Sequence, residues 1–326
     1  MEEKSYSRVC ITGGSGFVGS CLVKKLLEKG HTVHATLRNQ ENKLVLFQAD
    51  IYNPTEFEPA ITGCEYVFHV ATPMLHNTQS SQYKDTAEAA VAGVRVIADA
   101  CIRSKTVKRL IYTASVMSSS PLTEDGVCFK SCVDETCWTP FDVSFTYTND
   151  FTMGYIKSKT LAEKEILNYN EYDNSRLEVV TLACGVVGGE TLLPYVPSSV
   201  EIILSLLSGN LIFSNTLKFL QELLGSIPLV HIEDICQAHI FCIENQSMKG
   251  RFLCAATNPT IRAIASSFQE KFPEYQIAKE FIEGPDKGVT FDSTKLMKMG
   301  FEYAYDTKKI LDDSVACGRR LGHLIK

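Results

Sequence analysis

The glycine spacing near the N-terminus constrains this fold more than any other feature. Residues 12–19, TGGSGFVG, follow a short β-branched segment and open an amphipathic one, which predicts a strand, a tight turn and a helix. Gly13 permits the turn, Gly16 lets backbone N–H groups approach a phosphate, and Gly19 lets the helix pack against the strand. This order predicts a dinucleotide pyrophosphate site, to which we assign Gly13, Ser15, Gly16, Phe17, Val18 and Gly19. A glycine-rich turn without a ligand is the alternative.

The pattern after the glycine loop predicts an α/β fold. Short β-branched runs alternate with longer helical patterns over residues 8–182, which is typical of a parallel sheet covered by helices on both faces. We therefore expect a Rossmann-type doubly wound sheet. The predicted strands are 9–12, 32–37, 44–49, 66–70, 109–113 and 178–182, and the predicted helices are 16–29, 83–104 and 155–168.

One predicted connection is too short for this fold. Only five residues lie between Arg38 and Leu44, whereas a parallel crossover takes at least ~10 residues and usually contains a helix. Either a helix is missing from this chain or an extended segment makes the return.

Two domains are predicted. Residues 1–182 form the nucleotide-binding domain, to which 227–244 return, and residues 183–326 form a smaller C-terminal substrate lobe. The second lobe begins with an apolar stretch at 192–224. Its further predicted elements are a strand and a helix within 229–243, a strand at 252–255 and helices at 261–271 and 307–321.

Composition excludes several classes of function. The formal charge is −6, so no basic patch is expected to bind nucleic acid. Twelve cysteines include no CxxC pair, and most lie in apolar segments, so we expect buried thiols and no metal. No run of ~18 apolar residues predicts a membrane span, and the acidic N-terminus is unlike a signal peptide. We expect a reduced, cytoplasmic protein of unspecified oligomeric state.

Arg38 indicates the cofactor. Dinucleotide sites of this type place an acid after the second strand to bind the ribose hydroxyls, but this sequence reads Leu37-Arg38-Asn39. A guanidinium suits a 2′-phosphate instead, so the sequence predicts NADP(H) rather than NAD(H). A solvated surface arginine is the alternative.

Three residues predict the chemistry. Tyr155 lies four residues before Lys159 in a predicted helix, which places both on one helical face. An ammonium and a positively charged nicotinamide favour the ionised form of a phenol and lower its pKa. Ser115 follows the fifth predicted strand, where such a sheet binds its ligand. We predict that Ser115 and Tyr155 hold a substrate carbonyl, that Tyr155 delivers the proton, and that Lys159 binds the nicotinamide ribose.

Together these motifs resemble the extended short-chain dehydrogenases/reductases, and among them the plant dihydroflavonol 4-reductase-like group. Further matching stretches are 68–73 (FHVATP), 158–164 (SKTLAEK), 230–234 (VHIED) and 238–240 (AHI). Within the group, the stretches 112–121 (YTASVMSSSP), 224–231 (LGSIPLVH) and 251–256 (RFLCAA) are most similar to the HC-toxin reductase branch, which reduces a ketone on a toxin side chain.

The resemblance implies a set of ligand contacts. It implies adenine contacts at Asp50 and Ile51. Further cofactor contacts are implied at Val70, Ala71, Thr72, Thr113, Ala183, Val186 and Ser198. Substrate contacts are expected at Ser120 and Pro228. The apolar stretch 192–224, with Met74 and Phe151, is expected to line the substrate pocket, because a bulky ketone needs apolar area; ordinary core of the second lobe is the alternative.

The sequence also departs from the resembled group. Dihydroflavonol reductases carry asparagine and glutamine where this chain has Ser120 and Pro228, so a dihydroflavonol would lose its polar anchors. Cinnamoyl-CoA reductases carry Asn-Trp before the catalytic tyrosine, where this chain has Met153-Gly154.

The expected activity is therefore reduction of a ketone on a hydrophobic secondary metabolite. Two alternatives stay open. One is a nucleotide-sugar epimerase or dehydratase, which shares the loop and the Tyr/Lys pair but retains NAD, and Arg38 argues against it. The other is a non-catalytic NADP-sensing protein, which would not need Tyr155.

Overall fold

The computed structural model describes residues 6–37, 45–50, 53–73, 82–123, 128–171, 177–284 and 288–324. Its strands are β1 Arg8–Thr12, β2 Thr32–Leu37, β3 Val45–Gln48, β4 Tyr66–His69, β5 Arg109–Ser115, β6 Cys132–Val133, β7 Glu178–Cys184, β8 Val186–Gly188, β9 Leu229–His231, β10 Gly250–Cys254 and β11 Thr290–Phe291. Its helices are α1 Phe17–Glu28, α2 Glu58–Ile61, α3 Thr86–Ser104, α4 Asp150–Leu167, α5 Ser198–Ser208, α6 Leu211–Leu224, α7 Ile232–Glu244, α8 Ile261–Lys271, α9 Lys279–Ile282, α10 Thr294–Lys298 and α11 Thr307–Arg320.

The main sheet has seven strands in the order β10-β7-β5-β4-β1-β2-β3. Strand β1 pairs in parallel with β2 on one side and with β4 on the other. Strand order therefore reverses between β1 and β4, which is where doubly wound sheets bind their ligands. The predicted α/β doubly wound fold is confirmed.

The sheet is buried because its strands carry apolar side chains on both faces. Ile11 in β1, Phe68 in β4 and Leu110 in β5 are fully buried. Helix α1 covers the sheet with the face that carries Leu22 and Leu26, which are also fully buried. The alternating pattern that predicted these strands and this helix is therefore realised within one or two residues of the predicted ends.

Helix α4 begins at Asp150, five residues before the predicted start at Tyr155. Asn149 caps it, since its side-chain oxygen accepts the N–H of Thr152 at 2.9 Å, and the Thr152 hydroxyl accepts the N–H of Asn149 at 3.2 Å. This reciprocal pair satisfies N–H groups at the helix start. An Asn-x-x-Thr spacing is the sequence signal for the earlier start.

Strands β2 and β3 are parallel neighbours, with His34 opposite Val45. The intervening residues 38–44, which include Arg38, lie outside the described residues. The short return noted in the sequence therefore joins two adjacent parallel strands across seven residues.

The chain forms two compact units. The first comprises Met1–Ala114, Lys157–Leu182 and Cys236–Arg251, and the second comprises Ser115–Ile156, Ala183–Ile235 and Phe252–Lys326. In this division Cys236–Arg251 returns to the first unit, and Ser115–Ile156 belongs to the second. The domains expected from the sequence, 1–182 with the return of 227–244 and the lobe at 183–326, differ in these two segments and stay a prediction.

Hydrogen bonds explain both differences. In the second unit, the Ser120 hydroxyl donates to the Leu223 carbonyl at 2.7 Å, and the Tyr147 N–H donates to Glu222 at 3.2 Å, which ties the segment after β5 to α6. In the first unit, Arg109 of β5 reaches the end of α7 and donates to the carbonyl oxygens of Cys242, Asn245 and Gln246. The same guanidinium binds Glu178 of β7.

Most of the cysteines are buried, as their positions in apolar segments predicted. Ten of the twelve cysteines are buried, Cys128 and Cys132 are exposed, and all are free thiols.

No single helix in the described part of the chain is long and apolar enough to cross a membrane. Helices α5 and α6 satisfy length and composition only as a pair, bent by 105°.

Candidate active site

The glycine loop closes tightly against the end of β4. Gly13 has φ of +72°, and the Gly16 N–H donates to its carbonyl at 3.0 Å. A Cβ on Gly13 would lie 3.0 Å from both Cα and N of Ala71. A Cβ on Gly19 would collide with the carbonyl oxygen of Gly13. Both positions therefore require glycine, as the spacing predicted.

The start of α1 has the properties of an anion site. Its N-cap residue is Gly16, which has no side chain to accept from the first N–H groups, and its first turn carries no acidic residue. Ser15 and Gly16 are exposed, while Phe17 and Val18 are partly exposed. Backbone N–H groups and the positive end of the helix dipole are thus accessible to a phosphate. The loop fits the pyrophosphate of a dinucleotide.

Thr12, which the motif reading did not single out, organises the residues beside this loop. Its hydroxyl oxygen accepts the N–H groups of Val70 and Ala71, each at 3.2 Å. It lies 2.7 Å from Nδ1 of His69, its neighbour in the β1–β4 register. Burial lowers the pKa of His69 to about 3, so the ring is neutral. The two N–H groups take both lone pairs of the Thr12 oxygen, which leaves its hydroxyl hydrogen to be donated to Nδ1. The predicted contacts Val70 and Ala71 are thereby fixed next to Gly13.

Two predicted residues of the first unit contact a third, Lys159. Its ammonium donates to the Thr72 hydroxyl at 2.7 Å and to the Thr113 carbonyl at 2.8 Å. It also lies 5.2 Å from the centre of the Tyr112 ring. The Thr113 hydroxyl lies 2.8 Å from Nε2 of His239. Lys159 is 4 % exposed, so these oxygens hold its charge in a defined position.

Ser115 and Tyr155 meet in the second unit. Their side chains are hydrogen-bonded, and this bond lowers the pKa of Tyr155, but burial outweighs it and raises that pKa to about 12. The expected lowering of the phenol pKa is therefore not realised among the protein's own groups, because desolvation disfavours the phenolate. The phenol is thus protonated at neutral pH, the form that can donate a proton.

Helix α4 carries Tyr155 and Lys159 one turn apart. Residues four apart lie on one face of a helix, so the phenol and the ammonium project from the same side of α4. Ser115 ends β5, whose last residues also include Thr113. The three predicted catalytic residues are thus positioned by two regular elements rather than by loops.

Several of the other cofactor predictions can be located. Asp50 follows β3, and its N–H donates to Glu56 at 2.8 Å. Val186 is half-buried in β8 and its N–H donates to the Pro228 carbonyl at 2.7 Å. Ala183 is fully buried, and Ser198 is exposed at the start of α5. Ile51 and Met74 lie outside the described residues, as does Arg38.

Two of the predicted substrate contacts are buried and pair with the protein's own groups. Ser120 is 1 % exposed, and its hydroxyl donates to the Leu223 carbonyl and accepts the Leu122 N–H at 3.1 Å. Pro228 is buried beside β8. Ser120 and Pro228 both contact backbone groups of the second unit. Phe151 is 49 % exposed in the first turn of α4. All three stay predicted substrate contacts.

The comparisons with known proteins agree on one family. A model described as "NAD dependent epimerase/dehydratase family" matches residues 9–255. An anthocyanidin reductase of Vitis vinifera is 38% identical over 322 residues, covering 94% of this chain and 93% of that protein. A dihydroflavonol 4-reductase of Callistephus chinensis is 33% identical, covering 99% and 90%. The crystal structure of vestitone reductase from alfalfa matches with a TM-score of 0.79 and 32% identity over 98% of this chain and 100% of that one.

Proposed function

The chain belongs to the NAD dependent epimerase/dehydratase family, and from that premise we propose that it is an NADPH-dependent reductase of a ketone on a hydrophobic plant secondary metabolite. The resemblance to the dihydroflavonol 4-reductase-like group is confirmed by its relatives, and the chain is an oxidoreductase. The observation that carries the proposal is the hydrogen bond between Ser115 and a protonated Tyr155.

In this mechanism the protein's own groups act on the carbonyl oxygen. The Ser115 hydroxyl and the Tyr155 phenol both donate hydrogen bonds to it, and the phenolic proton passes to it as the alcohol forms. A pKa of about 12 keeps that proton on Tyr155 until negative charge develops on the substrate oxygen. Lys159, held by Thr72 and the Thr113 carbonyl, binds the nicotinamide ribose and stabilises the phenolate that remains. The cofactor supplies the hydride.

The cofactor assignment is supported by geometry and by one residue. The uncapped start of α1 and the close approach of Gly13 to Ala71 suit a pyrophosphate, and Arg38 stands where an NAD site carries an acid. Exchanging Arg38 for Asp is expected to raise the KM for NADPH far more than the KM for NADH, because a carboxylate repels the 2′-phosphate. If the ratio of the KM for NADPH to the KM for NADH stayed unchanged, the assignment of the 2′-phosphate contact to Arg38 would be refuted.

The substrate class follows from the relatives and from what this chain lacks. The similar proteins are named for anthocyanidin, dihydroflavonol and vestitone. Ser120 and Pro228 are engaged in packing here, so the polar grip that the family places at these two positions is missing. We therefore expect a bulky apolar ketone held mainly by contact area, such as the toxin side-chain ketone of the HC-toxin reductase branch, rather than a dihydroflavonol.

NADPH consumption provides the test. The purified chain is screened against flavonoid, phenylpropanoid and aliphatic ketones, and Tyr155→Phe is compared on the best substrate. Because the phenyl ring keeps its packing and loses only the proton donor, kcat is expected to fall by at least ~10²-fold, with NADPH affinity nearly unchanged. Tyr6→Phe removes an exposed phenol and is the matched control.

Two results would contradict the proposal. Normal turnover by Tyr155→Phe would show that Tyr155 is not the proton donor. Turnover without net NADPH consumption would instead favour an epimerase or dehydratase, the chemistry that the name of the family model includes.

A further inference from the structure

The residues after Ser115 form a single tight turn. Residues 116–118 are a 3₁₀ turn, and the Ser119 N–H donates to the Val116 carbonyl at 2.8 Å. Two bonds tie this turn back to Ser115. The Met117 N–H donates to the Ser115 hydroxyl oxygen at 3.2 Å, and the Ser118 hydroxyl donates to the Ser115 carbonyl at 2.6 Å. The orientation of the Ser115 side chain therefore depends on where the turn holds Met117.

Thr139, from a distant part of the second unit's sequence, binds this turn at three points. Its N–H donates to the Ser118 carbonyl at 3.0 Å, and its hydroxyl donates to the Met117 carbonyl at 2.7 Å. Its hydroxyl oxygen accepts the Ser120 N–H at 2.9 Å. Thr139 is 3 % exposed, so the hydroxyl, its one polar side-chain group, is out of water and engaged with the turn as donor and as acceptor.

The two sets of bonds meet on one residue. Thr139 holds Met117 by its carbonyl, and Met117 holds Ser115 by its N–H. Because that N–H occupies a lone pair of the Ser115 oxygen, the hydroxyl hydrogen is directed to another acceptor. The Ser115 side chain is also hydrogen-bonded to Tyr155, so the turn that holds its oxygen also determines how the hydroxyl is presented beside that phenol.

We propose that Thr139 is a positioning residue that aims the Ser115 hydroxyl, through Met117, at the oxygen it must bind. The inference rests on the proposed function, in which that oxygen belongs to the substrate carbonyl. Thr139 touches neither substrate nor cofactor in this role. The Thr139 hydroxyl therefore raises kcat only while Ser115 is present. A residue that merely stabilised the fold would affect kcat equally with and without Ser115.

The experiment is a double-mutant cycle on kcat. Thr139→Val keeps the shape and removes the hydroxyl, leaving the Met117 carbonyl and the Ser120 N–H without it. We expect a fall in kcat of about tenfold, a part of the 10²–10³-fold that loss of a whole donor costs, with KM for NADPH unchanged. In a Ser115→Ala background, the same change is expected to alter kcat by less than about twofold, because residues that act as one unit are not additive.

Two further variants serve as controls for this experiment. Thr139→Ser keeps the hydroxyl and is expected to restore kcat to within about twofold of the unmodified chain. Thr260→Val is the matched control, because Thr260 is 4 % exposed and its hydroxyl oxygen accepts the Ala263 N–H at the start of α8. Losing that cap is expected to lower the urea midpoint of unfolding and to leave kcat unchanged. Thr139→Ala makes the same hydroxyl deletion and replaces Thr139→Val if the latter yields no folded protein.

Each contrary outcome has its own meaning. An equal loss of kcat from Thr139→Val with and without Ser115, or no loss at all, overturns the role of Thr139 and leaves the proposed function standing. Full activity in Ser115→Ala overturns the proposed mechanism, and the role of Thr139 with it. A loss of kcat in Thr260→Val as large as in Thr139→Val assigns the effect to stability and also overturns the inference.

Discussion

Replacing Gly13 by alanine separates two costs that this loop imposes. The first is conformational, since φ at this position is +72°, and a left-handed residue with a Cβ costs ~1–2 kcal/mol. The second is steric. The new Cβ would lie 3.0 Å from Cα and N of Ala71 and 3.2 Å from its Cβ, well inside the ~3.5–4.0 Å optimum for such contacts.

The steric cost falls on the cofactor site. Overpacking of this kind costs ~1–3 kcal/mol, and it is relieved only if Gly13 and Ala71 move apart. That movement displaces the N–H groups at the start of α1. NADPH can then bind only if these groups return to their positions, so the steric cost is subtracted from the free energy of binding. Taking about 2 kcal/mol as the central value, NADPH binding is expected to weaken roughly 30-fold, since 1.4 kcal/mol corresponds to tenfold.

Gly209→Ala is the matched control. Gly209 has φ of +68°, and a Cβ there would meet no atom within 4 Å. Gly209→Ala therefore carries the same conformational cost as Gly13→Ala but not its steric cost. Titration of NADPH by protein fluorescence, with urea unfolding of the same samples, measures both. A dissociation constant for Gly13→Ala within about twofold of the unmodified chain, or equal weakening in Gly209→Ala, would refute the reasoning.

Two further predictions concern pH. Burial holds the pKa of His69 in the folded protein at about 3, below the ordinary histidine value of 6.5, so the neutral ring makes its full contribution to stability above pH 6.5. That contribution is lost as pH falls toward 3, by up to ~1.4 kcal/mol per pH unit. Urea unfolding from pH 7 to pH 4 should show this slope, and His69→Asn should reduce it; an unreduced slope would mean that other groups cause it. Because the pKa of Tyr155 is about 12, ketone reduction is expected to keep its rate from pH 6 to pH 9, whereas alcohol oxidation, which needs the phenolate, should accelerate with pH. A reduction rate that titrates below pH 8, and persists in doing so when Ser115 is exchanged for alanine, would assign the proton donor elsewhere.

Local patterns specified most of the fold. The strand β2, Thr32–Leu37, and the helix α8, Ile261–Lys271, lie within their predicted bounds, because a β-branched run and an apolar face at helical spacing each depend on neighbouring residues alone. Helix α4 began earlier than predicted because its start depends on the cap at Asn149, which the apolar periodicity does not record. The division into units differed from the prediction because it depends on hydrogen bonds between residues far apart in sequence, such as Ser120 with Leu223.

The site was predictable only in part, for the same reason. Gly13, Ser115, Tyr155 and Lys159 belong to spacings that carry their own chemical explanation. Thr12 and Thr139 act through bonds to residues 57 and 22 positions away, and no spacing marks them. Burial raises the pKa of Tyr155 to about 12, an effect that depends on the packing around the phenol and that a sequence pattern does not specify. The lowering expected beside a bound nicotinamide stays a prediction.

Arg109 links three parts of the first unit without belonging to the proposed catalytic site. Its guanidinium, 3 % exposed, binds Glu178 and the carbonyl oxygens of Cys242, Asn245 and Gln246 in and just after α7, and this fork of donors has no equivalent in lysine. Inherited variants at this position would change how many molecules survive cellular quality control, while each survivor worked at its normal speed. Screens that score only total activity in an extract would therefore mistake a defect in abundance for a defect in the enzyme.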